Sequence, residues 1–144
     1  RDHFQAAVIN NKLYLAGGRR TSEKTGDLFN MTVNEVDVFD FQTGKWSTLP
    51  AENNLPTARA GCTSIGTDSS LLVMGGESSS QDNAHRETEA FNINSGKWET
   101  FSPLKTGRHG TQALLYNNSV YIAAGSGSRG SDPELDSMEK LRLK

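Results

Sequence analysis

Short apolar stretches alternate with polar turns along the whole chain. Three pairs of these stretches stand out, each split by a short polar turn: 6–9 with 13–16, 62–65 with 71–74, and 113–116 with 120–123. An apolar run, a tight polar turn and a second apolar run are typical of a β-hairpin. No apolar stripe of helical length shows the 3.6-residue period of an amphipathic helix. The sequence therefore predicts an all-β protein.

A second hairpin is predicted after each of the first two. Phe39 and Phe91 each stand seven residues before a tryptophan, Trp46 and Trp98, and each gap contains a polar turn that ends in Gly-Lys. One structural unit therefore contains two hairpins joined by a loop, which makes four strands. Because tryptophan offers a large flat surface for packing between neighbouring units, we expect both tryptophans in the core.

The units are marked by an arginine and a glycine pair at a constant spacing. Arginine occurs at positions 1, 59 and 108, and sixteen residues later the chain reads Gly17-Gly18, Gly75-Gly76 and Ala124-Gly125. Glycines at a strand end permit positive φ and close backbone approach. The marks divide the chain into units 1–58, 59–107 and 108–144. The third unit ends before its expected tryptophan, so it is predicted to lack an outer strand.

The arginine, the glycine pair, the aromatic residue and the tryptophan together resemble the kelch repeat. That repeat is about 50 residues long and forms one four-stranded blade of a β-propeller. The resemblance implies a kelch-type propeller fragment of about three antiparallel blades, the C-terminal half of a ring. Propellers have about four to eight blades, so residues before Arg1 or a second copy would complete the ring. We expect the segment alone not to be a stable monomer, because its end blades expose apolar faces.

The resemblance also places a ligand-binding face where the loop after each glycine pair meets the entry to each innermost strand. The residues predicted for this face are Arg1, His3, Arg19, Arg59, Glu77, His85, Arg86, Arg108, His109 and Arg129. The guanidinium fork suits carboxylates and phosphates, which would indicate an acidic peptide or an acidic sugar. The alternative is structural, with the repeated acids Asp37, Glu89 and Glu139 pairing with the repeated arginines between blades.

Two classes of function follow from the resemblance. The first is a binding or scaffold module for a protein or carbohydrate ligand, and we favour it over catalysis. The second is an enzyme, either a copper-radical oxidase like galactose oxidase or an isomerase of sialic acid, with part of its site outside this chain. Such an oxidase needs two histidines and two tyrosines, one tyrosine bonded to a cysteine. Tyr14 and Tyr121 occupy matching core positions, and Cys62 has no evident tyrosine partner.

Charge, the length of the apolar runs and the spacing of the histidines limit the other kinds of partner and ligand. The net charge is −2 and the basic residues are scattered, which argues against a nucleic-acid partner. No apolar run approaches the ~20 residues that cross a bilayer, so no membrane partner is expected. His85 and His109 lie in different units and their spacing shows no convergence, so the sequence predicts neither a metal site nor a cofactor. Similarity to secreted bacterial kelch proteins favours a periplasmic or extracellular location.

Overall fold

Three antiparallel sheets make up the described part of the chain. The structure is a computed structural model, and it describes residues 1–22, 24, 26–27 and 29–143. The first sheet contains β1 (Ala6–Ile9), β2 (Lys12–Leu15), β3 (Asp37–Asp40) and β4 (Lys45–Thr48), in that order. Asn10 and Asn11 form the turn between β1 and β2 with φ of 48° and 61°, the left-handed conformation that asparagine tolerates in tight hairpins.

The second and third sheets repeat this order. The second contains β5 (Thr63–Gly66), β6 (Ser70–Met74), β7 (Thr88–Asn92) and β8 (Lys97–Thr100). The third contains β9 (Ala113–Tyr116), β10 (Ser119–Ala123) and β11 (Met138–Arg142). A short 3-10 turn, Ala51–Asn53, lies between the first two sheets in the chain. The predicted all-β fold of antiparallel blades, with three strands in the last one, is confirmed.

The innermost strands lie side by side. β1 packs beside β5, and β5 packs beside β9, so the three sheets radiate from a common line as propeller blades do. The hydrophobic core is correspondingly divided into two layers. The layer between the first and second sheets contains Ala7, Ile9, Tyr14, Ala16, Val36, Val38, Leu55, Cys62, Leu71, Val73 and Phe91. The layer between the second and third sheets contains Leu72, Met74, Ala90, Leu104, Ala113, Val120 and Ile122.

The two tryptophans have different environments. Trp98 packs against the first core layer, as predicted. Trp46 is 58% exposed, so the prediction that it is buried was wrong. The reason is its position in the arc. Trp98 lies on the side of the second sheet that faces the first sheet, whereas the corresponding side of the first sheet has no described blade beside it. Trp46 instead packs beside Phe39 of its own sheet, with ring centroids 5.1 Å apart.

Both ends of the arc expose apolar side chains. On the third sheet Leu114, Tyr116 and Met138 are 62%, 65% and 63% exposed, and on the first sheet Val8 is 58% exposed. In the second sheet, Ile65 takes the repeat position of Leu114, and it packs against the second core layer. The exposed residues of the third sheet are therefore the surface on which another blade would pack. Within the described residues, no helix has the length and apolar character needed to span a membrane.

Candidate functional site

The loop face is the surface formed by the described residues of 19–34, 77–87 and 126–136. The three repeated arginines lie beneath it and bind the strands of their own blades. The Arg59 side chain is fully buried, and its Nη1 donates to Glu89 Oε2 at 2.5 Å. Its Nε donates to the Gly75 carbonyl at 2.6 Å, and its Nη2 donates to the Val73 carbonyl at 3.0 Å. One guanidinium thus joins the entry of β5, the glycine pair and β7.

The other two arginines repeat this arrangement. Arg1 Nη2 lies 2.6 Å from Asp37 Oδ2, and Arg108 Nη2 lies 2.9 Å from Glu139 Oε1. The expectation that such pairs would link neighbouring blades was wrong, because each pair joins two residues of one unit. Arg1 and Arg108 keep only 7% and 0% of their side chains exposed. The structure therefore places the side chains of the repeated arginines within the blades.

Glu139 receives additional hydrogen bonds from the connection before the third blade. The amide groups of Lys105 and Thr106 donate to its carboxylate at 2.7 and 3.0 Å. Burial raises the pKa of Glu139, but the Thr106 and Lys105 amides and the Arg108 guanidinium outweigh it and lower the pKa below its usual value.

Glu77 occupies the centre of the loop face, and residues of all three blades contact it. Its Oε1 lies 3.2 Å from Arg19 Nη1 and 3.4 Å from His3 Nε2. Its Oε2 accepts a hydrogen bond from the Gly130 amide at 2.8 Å and lies 3.6 Å from His109 Nε2. The carboxylate is 3% exposed. We call these five residues the Glu77 cluster.

The repeat explains how the Glu77 cluster assembles. Glu77 directly follows a glycine pair and bridges to Ala60, and the same position bridges Arg19 to Asp2 and Ser126 to His109 in the neighbouring blades. Ala60 and Gly61 of the second blade stand at the repeat positions of His109 in the third blade and His3 in the first. A side chain at Gly61 would meet His3 Nε2 at 2.9 Å and His109 Cβ at 3.1 Å, so glycine at this position allows the two imidazoles to approach.

Burial and charge act in opposite directions on Glu77. Burial raises its pKa, but the His3 hydrogen bond, the Gly130 amide and the electrostatic effect of the nearby His109 and His3 rings together lower the pKa below its usual value. Glu77 is therefore held as a carboxylate in a nearly water-free position. A buried carboxylate of this kind requires partners, because an unpaired charge there would be strongly destabilising.

A second set of contacts joins the tips of the same loops. The Phe29 ring lies under two guanidinium groups, 5.9 Å from Arg19 Cζ and 5.4 Å from Arg129 Cζ. Arg129 Nη2 also donates to Asp82 Oδ1 at 2.8 Å. Each cation–π contact contributes about 0.5–1 kcal/mol at an exposed site. These contacts connect the loops of the first, second and third blades directly.

A cavity of about 260 Å³ opens beside the Glu77 cluster, where the innermost strands begin. Its lining comes from matching repeat positions of three blades: His3, Phe4, Gln5, Gly61, Cys62, Gly110, Thr111 and Gln112. Below it, Gln5 Nε2 donates to the Thr111 carbonyl at 3.2 Å, and Thr63 Oγ1 accepts from the Ala113 amide at 2.8 Å. These contacts hold the three innermost strands at fixed spacing.

Two predicted face residues lie away from the Glu77 cluster. His85 is 1% exposed, with Nε2 2.8 Å from Ser78 Oγ and Nδ1 3.0 Å from Glu87 Oε2. Arg86 Nε donates to the Leu104 carbonyl at 2.7 Å. Both side chains stabilise the connections around the second blade. His85 therefore does not converge with His109, whereas His3 does.

Sequence reasoning missed Phe29 and Asp82 and did not recognise Glu77 as the centre. One signal was present in the sequence. The residue after the glycine pair is Arg19 in the first unit and Glu77 in the second, which places opposite charges at equivalent positions of adjacent blades. No comparable pattern marks Phe29, because its loop has a different length from the others.

Comparison with known families supports the repeat assignment. A sequence model of the KLHDC2/KLHL20/DRC7 Kelch-repeats domain matches residues 1–139. The chain belongs to the kelch-repeat family. This confirms the resemblance drawn from the arginine, glycine and tryptophan marks.

Similar proteins come from several lineages. The chain is 26% identical over 127 residues to the Kelch-like protein terF of Aspergillus terreus, covering 87% of this chain and 26% of that protein. It is 23% identical over 129 residues to the human Kelch repeat and BTB domain-containing protein 8, covering 88% and 21%. It is 27% identical over 137 residues to the N-(sulfonatooxy)prop-2-enimidothioate sulfolyase of Thlaspi arvense, covering 90% and 37%. The chain thus spans about a quarter of the length of terF and of the human protein.

Proposed function

We propose that this kelch segment acts in protein binding and that its loop face contacts a partner protein. The loop face comprises the described residues of 19–34, 77–87 and 126–136. The observation that carries the proposal is the convergence of loops from three blades on Glu77, with Phe29 and Arg129 joining their tips. Loops held by a rigid scaffold are the usual location of binding residues.

The loop face suits a protein better than a carbohydrate. Apart from histidine, the sequence of the three loops contains one aromatic residue, Phe29. Both Arg19 and Arg129 pack on its ring. Stacking of a sugar ring requires a free aromatic face, and the two guanidinium groups compete for the ring of Phe29. The exposed groups on the face have both signs, including Arg20, Asp82 and Glu134. A mixed polar surface matches the rim of a protein interface.

We also propose that further blades cover the two ends of the arc. Leu114, Tyr116 and Met138 at one end and Trp46 at the other have the exposure expected of uncovered blade surfaces. The covering blades would come from residues that precede Arg1 in a longer chain or from a second copy of this one. In both cases the loop face continues around the axis and grows in area.

Charge reversal on the face tests the proposal. In the longest available form of the protein, Arg20→Glu with Glu134→Lys alters two exposed residues of the loop face. Lys45→Glu with Lys97→Glu is the control, because both lysines begin outer strands of their blades. Affinity purification followed by mass spectrometry should lose specific partners with the first pair and retain them with the second. Equal recovery from both variants would place the interface elsewhere, and recovery of glycans in place of proteins would favour a carbohydrate ligand.

A further inference from the structure

The Glu77 cluster also has the composition of a transition-metal site. It brings together two imidazoles and one carboxylate, and one ligand atom from each of His3, Glu77 and His109 lies within 4.8 Å of the other two. Two histidines and one glutamate are a known ligand set for zinc sites that keep a coordination position open. We propose that these three residues bind one Zn²⁺ ion. This inference goes beyond partner binding and does not depend on it.

The spacing of the donor atoms fits such an ion. His3 Nε2 and Glu77 Oε1 are 3.4 Å apart. Zinc bonds to nitrogen and oxygen are about 2.1 Å long, so the ligand atoms of a tetrahedral site stand about 3.4 Å from one another. The His109 ring also approaches this carboxylate, with Nε2 3.6 Å from Oε2, and its zinc ligand would be the other ring nitrogen, Nδ1. One donor atom from each side chain lies within 4.8 Å of the other two, so side-chain rotations would be needed to bring all three groups onto one ion.

His109 has a nitrogen that the protein does not satisfy. Its Nε2 lies 2.9 Å from the Ser128 carbonyl, which accepts only if Nε2 carries the proton. In that tautomer Nδ1 holds a lone pair, and this atom is buried with no hydrogen-bond partner in the described structure. A histidine with one nitrogen held by a carbonyl and the other free is the usual arrangement of a metal ligand. The imidazole is 5% exposed, and Nδ1 itself is shielded from bulk solvent.

The surroundings of Glu77 orient the carboxylate and limit the affinity for a cation. The Gly130 amide donates to Oε2 at 2.8 Å and fixes the carboxylate plane. Arg19 is 3.2 Å from Oε1 and brings a positive charge near the ion. Arg19 is therefore a positioning residue that also weakens cation binding, so removing its charge should tighten binding.

The site is accessible from one side. His3 keeps 34% of its side chain exposed, and it lines the cavity of about 260 Å³ beside the cluster. An ion can enter through this opening, and the cavity leaves space for a water molecule or a partner group in the fourth position. The ligands come from three different blades, so bound zinc would also cross-link the arc.

Zinc titration of the metal-free full chain tests the proposal. Isothermal titration calorimetry and elemental analysis after gel filtration should both give one Zn²⁺ per chain, and the same titration with Mg²⁺ should show no binding. The chain has three histidines, so imidazole ¹⁵N spectra resolve the ligands directly. We expect the His3 and His109 signals to shift on zinc addition and the His85 signal to stay unchanged. Zinc that shifts His85 instead, or fails to bind at millimolar concentration, would overturn the proposal.

Two variants complete the test without disturbing the core. His3→Gln removes the partly exposed ligand and should weaken zinc binding by roughly 100-fold or more, since even outer-shell changes cost 10–100-fold. Arg19→Gln should tighten it by roughly tenfold. A circular dichroism spectrum identical to that of the unmodified chain establishes that each variant is folded. Unchanged affinity in His3→Gln would show that zinc binds elsewhere and would exclude this site.

Discussion

Trp98 donates its indole N–H to the backbone carbonyl of Asn53 at 2.8 Å, across the boundary between the first two blades. Trp46 occupies the same repeat position in the first blade and is 58% exposed. The role of this tryptophan is therefore to contact the preceding blade, and its burial depends on that blade being present. The same residue type at the same repeat position thus experiences two environments within one chain.

Fluorescence distinguishes the two tryptophans, because the chain contains no others. Trp98→Phe leaves Trp46 as the emitter, and we expect red-shifted emission with strong quenching by acrylamide in dilute solution. Trp46→Phe leaves Trp98, and its emission should be blue-shifted and protected. Similar quenching constants for the two variants would contradict the described packing. Raising the protein concentration should protect Trp46 if copies associate through this face.

Replacing the buried arginine should strongly destabilise the protein. In Arg59→Gln the Glu89 carboxylate loses its charged partner in a buried position, and we expect a loss of about 3–5 kcal/mol in the free energy of unfolding. Lys12→Gln is the control, because Lys12 and Asp40 form a more exposed pair at 3.9 Å, and surface pairs of this kind contribute little to stability. Urea denaturation followed by circular dichroism measures both. Equal effects would show that the repeated arginines have no special structural role.

The third blade has alanine in place of the first glycine of the pair, and its backbone conformation there is strained. Ala124 has φ of 57°, the left-handed region that costs a residue with a Cβ about 1–2 kcal/mol. Ala124→Gly should relieve this strain, while the added freedom of the unfolded chain offsets about 0.4–1 kcal/mol. We expect a net stabilisation of up to about 1.6 kcal/mol in thermal or urea unfolding. A destabilised variant would show that the left-handed conformation at this position is wrong.

The equivalent glycine of the second blade should tolerate no substitution. Gly75 has φ of 65°, and a Cβ there would stand 2.2 Å from the Arg108 carbonyl oxygen of the third blade. Gly44 has a similar φ of 68° in an open hairpin turn, with no atom within 4 Å of the added Cβ. Gly75→Ala should therefore cost clearly more than Gly44→Ala, which carries the backbone strain of about 1–2 kcal/mol alone. Equal costs would mean that the blades are not in close contact here.

Acid should destabilise the chain through two paired carboxylates, buried Glu77 and half-buried Glu139. The pKa of Glu77 and the pKa of Glu139 are both lowered in the folded state, so folding favours their ionised forms. Their contribution to stability is present above the unfolded-state pKa of about 4.3 and is lost as the pH falls through the lower folded-state values. Glu139→Gln should reduce the pH dependence of unfolding between about pH 5 and pH 3. Unfolding curves with the same pH slope for Glu139→Gln and the unmodified chain would contradict this assignment.

The blades follow from the sequence because their marks are local. An arginine, a glycine pair and a tryptophan recur at spacings that a strand pattern explains, and each strand obtains its hydrogen bonds from a neighbour in the same unit. The arginine–acid pairing was also suggested by repetition, because each unit has an acid at one repeat position, but it was predicted between blades and the structure places it within them. The sequence could not show which blade face would be left bare, and Trp46 was misjudged for that reason.

The candidate site depends on information that no single unit contains. His3, Glu77 and His109 come from three blades, and they meet only because the arc curves around its axis. Gly61 allows the approach by leaving space between the two imidazoles, and its role depends on residues 58 and 48 positions away in the chain. Spacing within a unit therefore carries no sign of the Glu77 cluster.

The proximity of the three blades at Gly61 can be measured directly. Nuclear Overhauser spectra of the labelled chain should show cross-peaks from the Gly61 Hα protons to the His3 ring and to the His109 β-protons, since both side chains flank this residue. The backbone hydrogen bonds from the Gly61 amide to His3 and from the Gly110 amide to Gly61 should protect both amides from exchange. Absence of these cross-peaks in a folded sample, with rapid exchange of both amides, would contradict the radial arrangement of the blades.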